Sequence, residues 1–319
     1  MDYLDRIRVF APATIGNVSV GFDALGLAIA PQDGALLGDV VALERAKLDD
    51  WRLDVIGPYA SELPDNPEDN IVLAACRRFQ AALSEQDVDV QPLRVTLEKG
   101  LPIGTGLGSS SCSVVATLEA LNLLHRNPLT PDELFALMAE MEGSMSGGVH
   151  TDNIGPCLMG GLRLCTPGST ATYPLPWPVG WRVVVCWPGT RVETRRARQV
   201  LPQEVPLKTA VQQGALFAGF VHALHSGDTT LAAASLVDLL AEPHRKALLP
   251  GFEDARQGLK GLGVLAVGIS GSGPSLFTIV DKPEVAEAAA TWLLENYCAN
   301  DRGFAHVCRA DPGGARAIE

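Results

Sequence analysis

The residues best suited to chemistry lie in one glycine- and serine-rich stretch, Leu-Pro-Ile-Gly-Thr-Gly-Leu-Gly-Ser-Ser-Ser, at residues 101–111. Its glycines alternate, and its serines open an apolar run that ends at Leu124. The N-terminus of a helix presents unpaired N–H groups and a positive dipole end, and glycines let an anion approach the backbone. The serines add hydroxyl donors, and the second or third can also reach a phosphate-bound metal. We therefore predict a phosphate cradle at the start of a buried helix.

The spacing of these glycines excludes two common nucleotide-binding loops. A P-loop requires a lysine after its glycines, and the nearest lysine, Lys99, precedes them. A Rossmann fingerprint counted from Gly104 requires a glycine where Ser109 stands. An ordinary tight turn before a core helix is the remaining alternative. The three consecutive serines favour phosphate, because one serine would suffice as a helix cap.

Polar side chains in two other stretches are further candidates. Asn17 and Asp23 belong to a loop of small residues, where Asn and Asp beside glycine usually form turns. His150, Asp152 and Asn153 crowd into one short loop, which indicates a role beyond filling space. A His–Asp pair also suits a hydrolase, but no G-x-S-x-G stretch supplies the nucleophilic serine.

Glu142 stands where we predict the helix over residues 131–141 to end. A carboxylate at that end opposes the helix dipole, so Glu142 is either solvated or has a partner such as a metal ion. The same helix is predicted to begin with Thr130 as its cap and Pro131 in its first position.

The chain of 319 residues has a formal net charge of −12, which argues against general binding to nucleic acid or to an anionic membrane. An anionic substrate would then require local cations. Residues 191–201 supply a basic cluster that contains Thr194, Arg195 and Arg198. Arg245 lies in a Glu-Pro-His-Arg stretch that breaks a helical pattern, which predicts a second exposed basic site.

The elements that must position these residues follow from hydrophobic periodicity. Strands are predicted at residues 7–11, 40–44, 52–56, 93–97, 162–164, 181–187, 264–267, 276–280 and 305–309, and helices at 70–83, 109–124, 131–141, 207–224, 230–241, 251–262 and 283–297. The length suggests two domains, and a proline-rich stretch at 166–180 places their boundary near residue 170, giving domains 1–170 and 171–319. The β-α-β order of the second half suits an α+β sandwich.

Cysteine usage and the hydropathy pattern predict the compartment. The seven cysteines form no C-x-x-C pair and lie mostly in apolar runs, so we expect reduced, buried thiols in a cytoplasmic protein. The chain opens without a basic-then-apolar leader and has no apolar run of about 18 residues. We therefore expect a soluble protein with neither a membrane nor a nucleic acid as its partner.

Three blocks of the sequence, residues 11–26, 101–113 and 268–277, resemble the three motifs of the GHMP small-molecule kinases. The middle block is similar to the P-x-G-x-G-L-G-S-S pattern of that superfamily, with Ile103 in the variable place and Ser111 where alanine is usual. Within the superfamily the chain resembles the homoserine kinase family over essentially its whole length. Five unlinked stretches agree in order and spacing, at residues 17–23, 34–40, 142–156, 194–202 and 241–252.

The resemblance implies a two-domain α+β fold, with an N-terminal domain like ribosomal protein S5, a ferredoxin-like C-terminal domain and the site between them. It implies phosphorylation of the L-homoserine hydroxyl by ATP and Mg²⁺ in threonine biosynthesis, by a homodimer. It assigns the ATP phosphates to a loop, which comprises Pro102, Ile103, Gly104, Thr105, Gly106, Leu107, Gly108, Ser109, Ser110 and Ser111. Mg²⁺ would be held by Ser110 and Glu142.

The remaining assignments also come from the resemblance. The homoserine carboxylate would pair with Arg198 and Arg245, and its ammonium and hydroxyl would meet Asn17, Asp23, His150, Asp152 and Asn153. Asp152, Asn153 and Thr194 are the catalytic candidates, with Thr194 facing the γ-phosphate. Whether Asp152 takes the hydroxyl proton is open, and substrate binding is the favoured role.

Two alternatives remain at this stage. A sister kinase acting on another small alcohol, such as mevalonate, a sugar or shikimate, would keep the glycine–serine loops without needing the two arginines. A non-catalytic relative that senses ATP or a metabolite would be expected to lack Glu142 or the loop serines, and this chain has both.

Overall fold

The structure is a computed structural model that describes residues 5–146, 150–166 and 168–319. Residues 147–149, within one of the resembling stretches, and Pro167, in the predicted domain boundary, lie outside the described residues. The strands are β1 (Arg6–Pro12), β2 (Thr14–Gly16), β3 (Leu25–Pro31), β4 (Gly38–Arg45), β5 (Arg52–Ile56), β6 (Leu93–Glu98), β7 (Leu162–Cys165), β8 (Thr172–Leu175), β9 (Arg182–Trp187), β10 (Ala266–Ile269), β11 (Leu276–Val280), β12 (Phe304–Ala310) and β13 (Arg316–Ala317). The helices are α1 (Ile71–Ser84), α2 (Ser109–Leu124), α3 (Pro131–Ser146), α4 (Ile154–Met159), α5 (Thr194–Gln199), α6 (Leu207–Ser226), α7 (Thr229–Ser235), α8 (Glu242–Arg245), α9 (Phe252–Gly261) and α10 (Pro283–Asn296).

The strands form one mixed sheet and one antiparallel sheet, which, with the helices, confirms the α+β class. The first has the order β13-β1-β4-β6-β5, in which only the β5–β6 pair is parallel. The second has the order β10-β11-β9-β12-β3-β7-β8, and β2 pairs with β3 beside that path. Strand β3 pairs with β12, so the second sheet contains strands from both halves of the chain. The boundary near residue 170 stays a prediction.

Helix α2 is the buried helix that the apolar run predicts. Its side chains are buried on every face, with Val114, Leu118 and Leu121 fully enclosed. It packs on β1 and β4 and lies against α1 and α3. A helix that is apolar all round packs against its neighbours on every side. This packing fixes the position of the N-terminal end of α2 within the N-terminal half of the chain.

Helix α3 continues past its predicted end, and the interpretation of Glu142 as a helix-end residue is therefore wrong. The helix begins as predicted, because Thr130 and Glu133 form a reciprocal capping pair: Glu133 N–H donates to Thr130 Oγ1 at 3.3 Å and Thr130 N–H donates to Glu133 Oε2 at 2.8 Å. It then runs through Gly143 to Ser146. A single glycine costs a helix only about 1 kcal/mol, which packing of the apolar face offsets.

Two further boundaries differ from the predictions, and the described residues contain four strands (β2, β3, β8 and β13) and three short helices (α4, α5 and α8) that the sequence analysis does not predict. Helix α7 ends at Ser235 rather than at residue 241, because the Asp238 carboxylate accepts the N–H groups of Leu240 and Ala241 and forms a side-chain turn instead. Strand β10 begins at Ala266 rather than at residue 264. Strands β2 and β8 fall in stretches that the sequence predicts as a loop or a domain boundary, and β3 directly follows such a loop. Strand β13 and helices α4, α5 and α8 have six residues or fewer, too few for periodicity to identify. The other predicted strands and helices are confirmed within a few residues.

The cysteines are free thiols, and all are buried except Cys298, which is partly exposed. This agrees with the expectation of reduced, mostly buried thiols. Within the described ranges, we find no helix with the length and apolar character needed to cross a membrane.

Candidate active site

A cleft of about 900 Å³ collects the predicted site residues. All of them line it except Pro102 and Leu107, which are buried beside it. Leu107 is fully enclosed in the hydrophobic core, so the loop is anchored from below by an apolar side chain. The sequence therefore identifies the lining of this cleft, although the residues come from distant parts of the chain.

The glycine-rich loop has the backbone conformation that requires glycine. Gly104, Gly106 and Gly108 have φ values of 69°, 78° and 69°, in the left-handed region that side chains disfavour. A Cβ on Gly106 would collide with the carbonyl oxygen of Ser270. Gly108 is the N-cap of α2 and supplies no capping side chain, so the helix N-terminus meets the cleft without a protein acceptor from its cap residue.

The second glycine–serine loop, residues 270–275, is bonded directly to the first. Ser270 Oγ donates to the Gly106 carbonyl at 2.7 Å, and Ser275 N–H donates to the Thr105 carbonyl at 3.1 Å. Gly271 N–H also donates to the Gly16 carbonyl at 3.1 Å. The three separate sequence blocks therefore meet at one point on the cleft.

A buried ion pair that the sequence analysis missed fixes the start of α2. Lys99 Nζ lies 2.5 Å from Asp39 Oδ2 and donates to the Ser109 carbonyl at 3.0 Å and to Ser113 Oγ at 3.1 Å. Asp39 Oδ1 accepts the backbone N–H of Leu101 at 3.2 Å. Both charged side chains are almost fully enclosed. The pair joins β4, the end of β6 and the first turn of α2.

The loop that contains Asn17 and Asp23 is more than an ordinary turn. Asn17, Val18 and Ser19 have φ values of 68°, 44° and 55°, and a β-branched residue in that region is strained. Asn17 Oδ1 accepts the Asp23 N–H at 2.9 Å, and Asn17 Nδ2 donates to the Gly271 carbonyl at 3.1 Å. Gln213, from α6, donates to the Val20 carbonyl at 2.7 Å. These bonds hold the strained loop against the second glycine–serine loop.

Two arginines lie close to this loop, and they differ in their partners and in their burial. Arg198 makes a two-pronged pair with Asp23, with Nη1–Oδ2 and Nη2–Oδ1 distances of 2.8 Å each. Arg245 was predicted to be exposed, but only 4% of it is exposed, because α8 folds back toward α5 and the cleft. The Phe22 ring centre lies 5.7 Å from the Arg198 guanidinium carbon and 5.3 Å from that of Arg245.

Arg245 has no carboxylate partner among the residues that the structure describes. Its Nη1 donates to the Gly271 carbonyl at 2.8 Å and its Nε to the Ala197 carbonyl at 3.2 Å. Burial lowers the pKa of this guanidinium, and the neighbouring charge of Arg198 lowers it further. The side chain is therefore a desolvated cation held by neutral acceptors.

Asp152 is the corresponding desolvated anion. It is 4% exposed, and no basic nitrogen lies within 4.0 Å of its carboxylate in the described parts of the chain. Burial raises the pKa of Asp152 to about 7, with contributions from the nearby charges of Asp23 and Glu142. The adjacent Asn153 is fixed by Thr14, whose Oγ1 donates to Asn153 Oδ1 at 2.8 Å.

His150 and Glu142 complete the polar lining. His150 Nδ1 lies 3.7 Å from Asp23 Oδ2, and burial lowers the His150 pKa more than Asp23 raises it. Burial raises the pKa of Glu142, and Ser111 Oγ donates to its Oε2 at 3.3 Å. No cluster of three His, Cys, Asp or Glu residues that could hold a metal occurs in the described ranges. A site with one carboxylate suits Mg²⁺ only when phosphate oxygens supply further ligands.

Thr14, Phe22, Asp39, Lys99 and Gln213 are the supporting residues that sequence reasoning did not identify. Thr14 and Phe22 stand inside the first motif block, so proximity to Asn17 and Asp23 was an available signal. Lys99 was noted only as the wrong lysine for a P-loop. Asp39 stands inside the resembling stretch 34–40, but nothing local points to Lys99 as its partner, and Gln213 carries no local signal, because the partners of both are distant in sequence.

Comparisons with known proteins identify the family and the fold of the chain. The family profile described as "GHMP kinases N terminal domain" matches residues 70–161, and that described as "GHMP kinases C terminal" matches residues 220–297. The chain is similar to the crystal structure of homoserine kinase from Cytophaga hutchinsonii, with 33% identity and a TM-score of 0.89 over 100% of this chain and 99% of that one.

Two more distant structures share the fold. A candidate homoserine kinase from Listeria monocytogenes is 23% identical, with a TM-score of 0.71 over 98% of this chain and 99% of its own. The mevalonate kinase of L. major, solved in complex with R-mevalonate, is 15% identical, with a TM-score of 0.67 over 94% and 95% of the two chains. Identities this low establish the common two-domain architecture alone.

The Lys99–Asp39 pair predicts a large loss of stability when one partner is removed. We expect Lys99→Met to lower the free energy of unfolding by about 3–5 kcal/mol, because Asp39 is left as an uncompensated buried charge. The double variant Asp39→Asn/Lys99→Met should lose less than the single variant. Urea unfolding of the two variants measures both losses.

The exposed pair of Lys246 and Glu253 is the control, and Lys246→Met should cost less than about 1 kcal/mol. Equal losses for Lys99→Met and Lys246→Met would contradict the assigned role.

The burial of Asp152 predicts a pH-dependent gain in stability for Asp152→Asn. The folded protein holds the Asp152 proton up to a pKa of about 7, whereas the unfolded chain releases it near pH 4, so wild-type stability falls as the pH rises through that window. Asparagine cannot ionise, so we expect the variant's advantage to be about 2 kcal/mol larger at pH 8 than at pH 5. Urea unfolding at the two pH values measures it, with exposed Asp254→Asn as the control for loss of a carboxylate. The same advantage at both pH values would show that the carboxylate is not desolvated.

Proposed function

The chain belongs to the GHMP kinase family, and on that premise we propose that it transfers a phosphoryl group from ATP to the side-chain hydroxyl of L-homoserine. The product would be O-phospho-L-homoserine, an intermediate of threonine biosynthesis. The family establishes a phosphotransferase, and the arrangement of charges in the cleft supports the choice of acceptor.

The observation that carries the proposal is the pair of opposite, unneutralised charges in one cleft. Arg245 is a buried cation without a carboxylate partner, and Asp152 is a buried carboxylate without a cationic partner, in the part of the chain that the structure describes. A free α-amino acid carries one carboxylate and one ammonium, so it would neutralise both groups at once. Each desolvated charge costs stability until a ligand of the opposite charge binds.

The carboxylate of homoserine would be bound by the spare donors of the two arginines. Asp23 occupies both terminal nitrogens of Arg198, and Arg198 Nε is buried without a hydrogen-bond partner in the described chain. Two nitrogens of Arg245 donate to carbonyl groups, which leaves Nη2. Guanidinium groups bind carboxylates through such paired, charge-assisted hydrogen bonds. Asp23 thus holds Arg198 in place for the substrate, besides its expected role toward the ammonium.

The residues of the phosphate loop fit the phosphates of a nucleoside triphosphate. The N-terminus of α2 and the left-handed glycines form a cradle that side chains would fill, and Thr194 opens α5 on the same cleft. Ser110 and Glu142 would hold Mg²⁺, which would neutralise phosphate charge when bound. Phosphoryl transfer depends chiefly on alignment and on stabilised charge, both of which a fixed helix N-terminus provides.

Asp152 would bind the ammonium group, and Asn153, fixed by Thr14, would orient the substrate beside it. With a pKa of about 7 the free carboxylate is only partly ionised at neutral pH, and a bound ammonium would lower that pKa by favouring the charged form. The alternative role, acceptance of the hydroxyl proton, uses the same carboxylate. The homodimer implied by the resemblance and the cytoplasmic location expected from the cysteines stay predictions.

A coupled ADP-release assay with Mg-ATP and a panel of acceptors tests the proposed function. The panel has four alcohols. L-homoserine carries both a carboxylate and an ammonium, mevalonate only a carboxylate, 3-aminopropan-1-ol only an ammonium, and galactose neither. We expect turnover with homoserine and at most traces with the others, since each of them leaves a buried charge unneutralised. Turnover of mevalonate with homoserine inert would keep the kinase and overturn the acceptor. ATP binding without any turnover would favour the sensing alternative.

Arg245→Gln tests the carboxylate site within that assay. Loss of a charge-assisted hydrogen bond worth about 1.5–3 kcal/mol should raise the KM for homoserine by about 10- to 100-fold. The KM for ATP should stay within about twofold, because the phosphate loop does not contact Arg245. Arg309→Gln, at an exposed position on β12 outside the cleft, is the control for the change in net charge. A rise in the KM for ATP alone would place Arg245 in the nucleotide site instead.

A further inference from the structure

Two thiols that the proposed reaction does not use lie in contact where β9, an interior strand of the second sheet, faces the end of α10. The Sγ atoms of Cys186, on β9, and Cys298, just after α10, are 3.7 Å apart. Cys298 Sγ also lies 3.7 Å from the Trp187 carbonyl. The two residues are more than 100 positions apart in the chain, so the fold itself brings the sulfur atoms together.

The two thiols differ in their access to solvent. Cys186 is buried, whereas Cys298 is partly exposed. The hydrogen bond from the Cys186 thiol lowers the pKa of Cys298 by stabilising its thiolate, and the same contact together with burial raises the pKa of Cys186. A reagent from solvent therefore meets the more readily ionised thiol first, and the second thiol stands behind it.

A second thiol pair provides an internal comparison. Cys112 and Cys157 are close enough for Cys112 to add to the effect of burial in raising the pKa of Cys157, but both are completely enclosed. Burial raises the pKa of Cys157 well above its ordinary value, and Cys112 Sγ donates to the Pro12 carbonyl at 3.1 Å. The thiols of this pair are close together but inaccessible from solvent. The pair therefore distinguishes the effect of proximity on oxidation from the effect of solvent access.

We propose that Cys298 and Cys186 form a reversible intramolecular disulfide when the protein meets a hydroperoxide. The Cys298 sulfur attacks the terminal oxygen, the O–O bond breaks, and the departing oxygen leaves as water or an alcohol after protonation. The resulting sulfenic acid is attacked by the Cys186 sulfur, an S–S bond forms, and the hydroxyl leaves with the Cys186 proton as water. Two thiols lose two electrons in total, and one hydroperoxide gains them.

The disulfide would join the segment after α10 to the end of β9, just before the turn that leads to the cleft. Ala299 N–H donates to the Pro188 carbonyl at 2.8 Å, and Asn300 Nδ2 donates to the Gly189 carbonyl at 3.1 Å. Arg191, which follows this turn, lines the cleft and pairs with Glu62. The covalent link would therefore lie directly behind the turn that leads into the cleft wall.

The test treats the reduced full-length protein with one equivalent of hydrogen peroxide, followed by thiol titration in denaturant and tryptic mapping without reductant. We expect two of the seven thiols to disappear and the fragment of residues 183–191 to be linked to the one that contains Cys298. Dithiothreitol should restore both thiols. In Cys186→Ser, which lacks the resolving thiol, dimedone should label Cys298 as a sulfenic acid.

Cys165→Ser, a buried cysteine outside both pairs, is the matched control and should keep the link. The wild-type map does not depend on whether any variant folds. Three results would overturn the proposal: all seven thiols remaining, Cys298 oxidised without a link to Cys186, or linkage of Cys112 to Cys157 at the same rate. The last result would mean that proximity alone decides which thiols react.

Discussion

The buried ion pair between Lys99 and Asp39 is the constraint on which the candidate site depends. It ties the strand before the glycine-rich loop to β4 and to the first turn of α2, so the loop is fixed at both ends. A buried pair of this kind contributes little net stability, because desolvation offsets most of the attraction. Its effect is on position. A loop with three glycines can adopt many conformations, and the hydrogen bonds of this ion pair restrict it to the observed one.

Once α2 is fixed, the other two motif blocks follow by direct hydrogen bonds. The carbonyl of Gly271 accepts from both Asn17 and Arg245, so one backbone oxygen aligns the strained first loop and the buried arginine. Arg198 is held in turn by Asp23. Each part of the site is therefore positioned by another part, starting at the phosphate loop and ending at the arginines. Strain in residues 17–19 and desolvated charge in the cleft reduce the stability of the folded protein in exchange for a preorganised site.

The sequence predicts the local parts of this arrangement well. Glycine spacing and an all-round apolar run identify the loop and α2, and the motif blocks together with the stretches 142–156, 194–202 and 241–252 contain most of the lining residues. The pairs that fix their geometry join residues far apart, such as Asp23 with Arg198 across 175 positions, and no local pattern encodes them. The burial of Arg245 was missed for the same reason. Glu142 was misplaced because local propensity ended α3 at a glycine that tertiary packing overrides.

The chemistry of the cleft follows from which charges remain unneutralised. Asp23 and Arg198 satisfy each other, and Lys99 and Asp39 do the same deeper in the protein. Arg245 and Asp152 stand apart from these pairs, and a ligand with only one charge would relieve only one of them. A molecule with both an ammonium and a carboxylate relieves both, so its hydroxyl is placed by two electrostatic contacts of opposite sign. Such two-point binding of the proposed acceptor would fix its direction as well as its position, and phosphoryl transfer requires both.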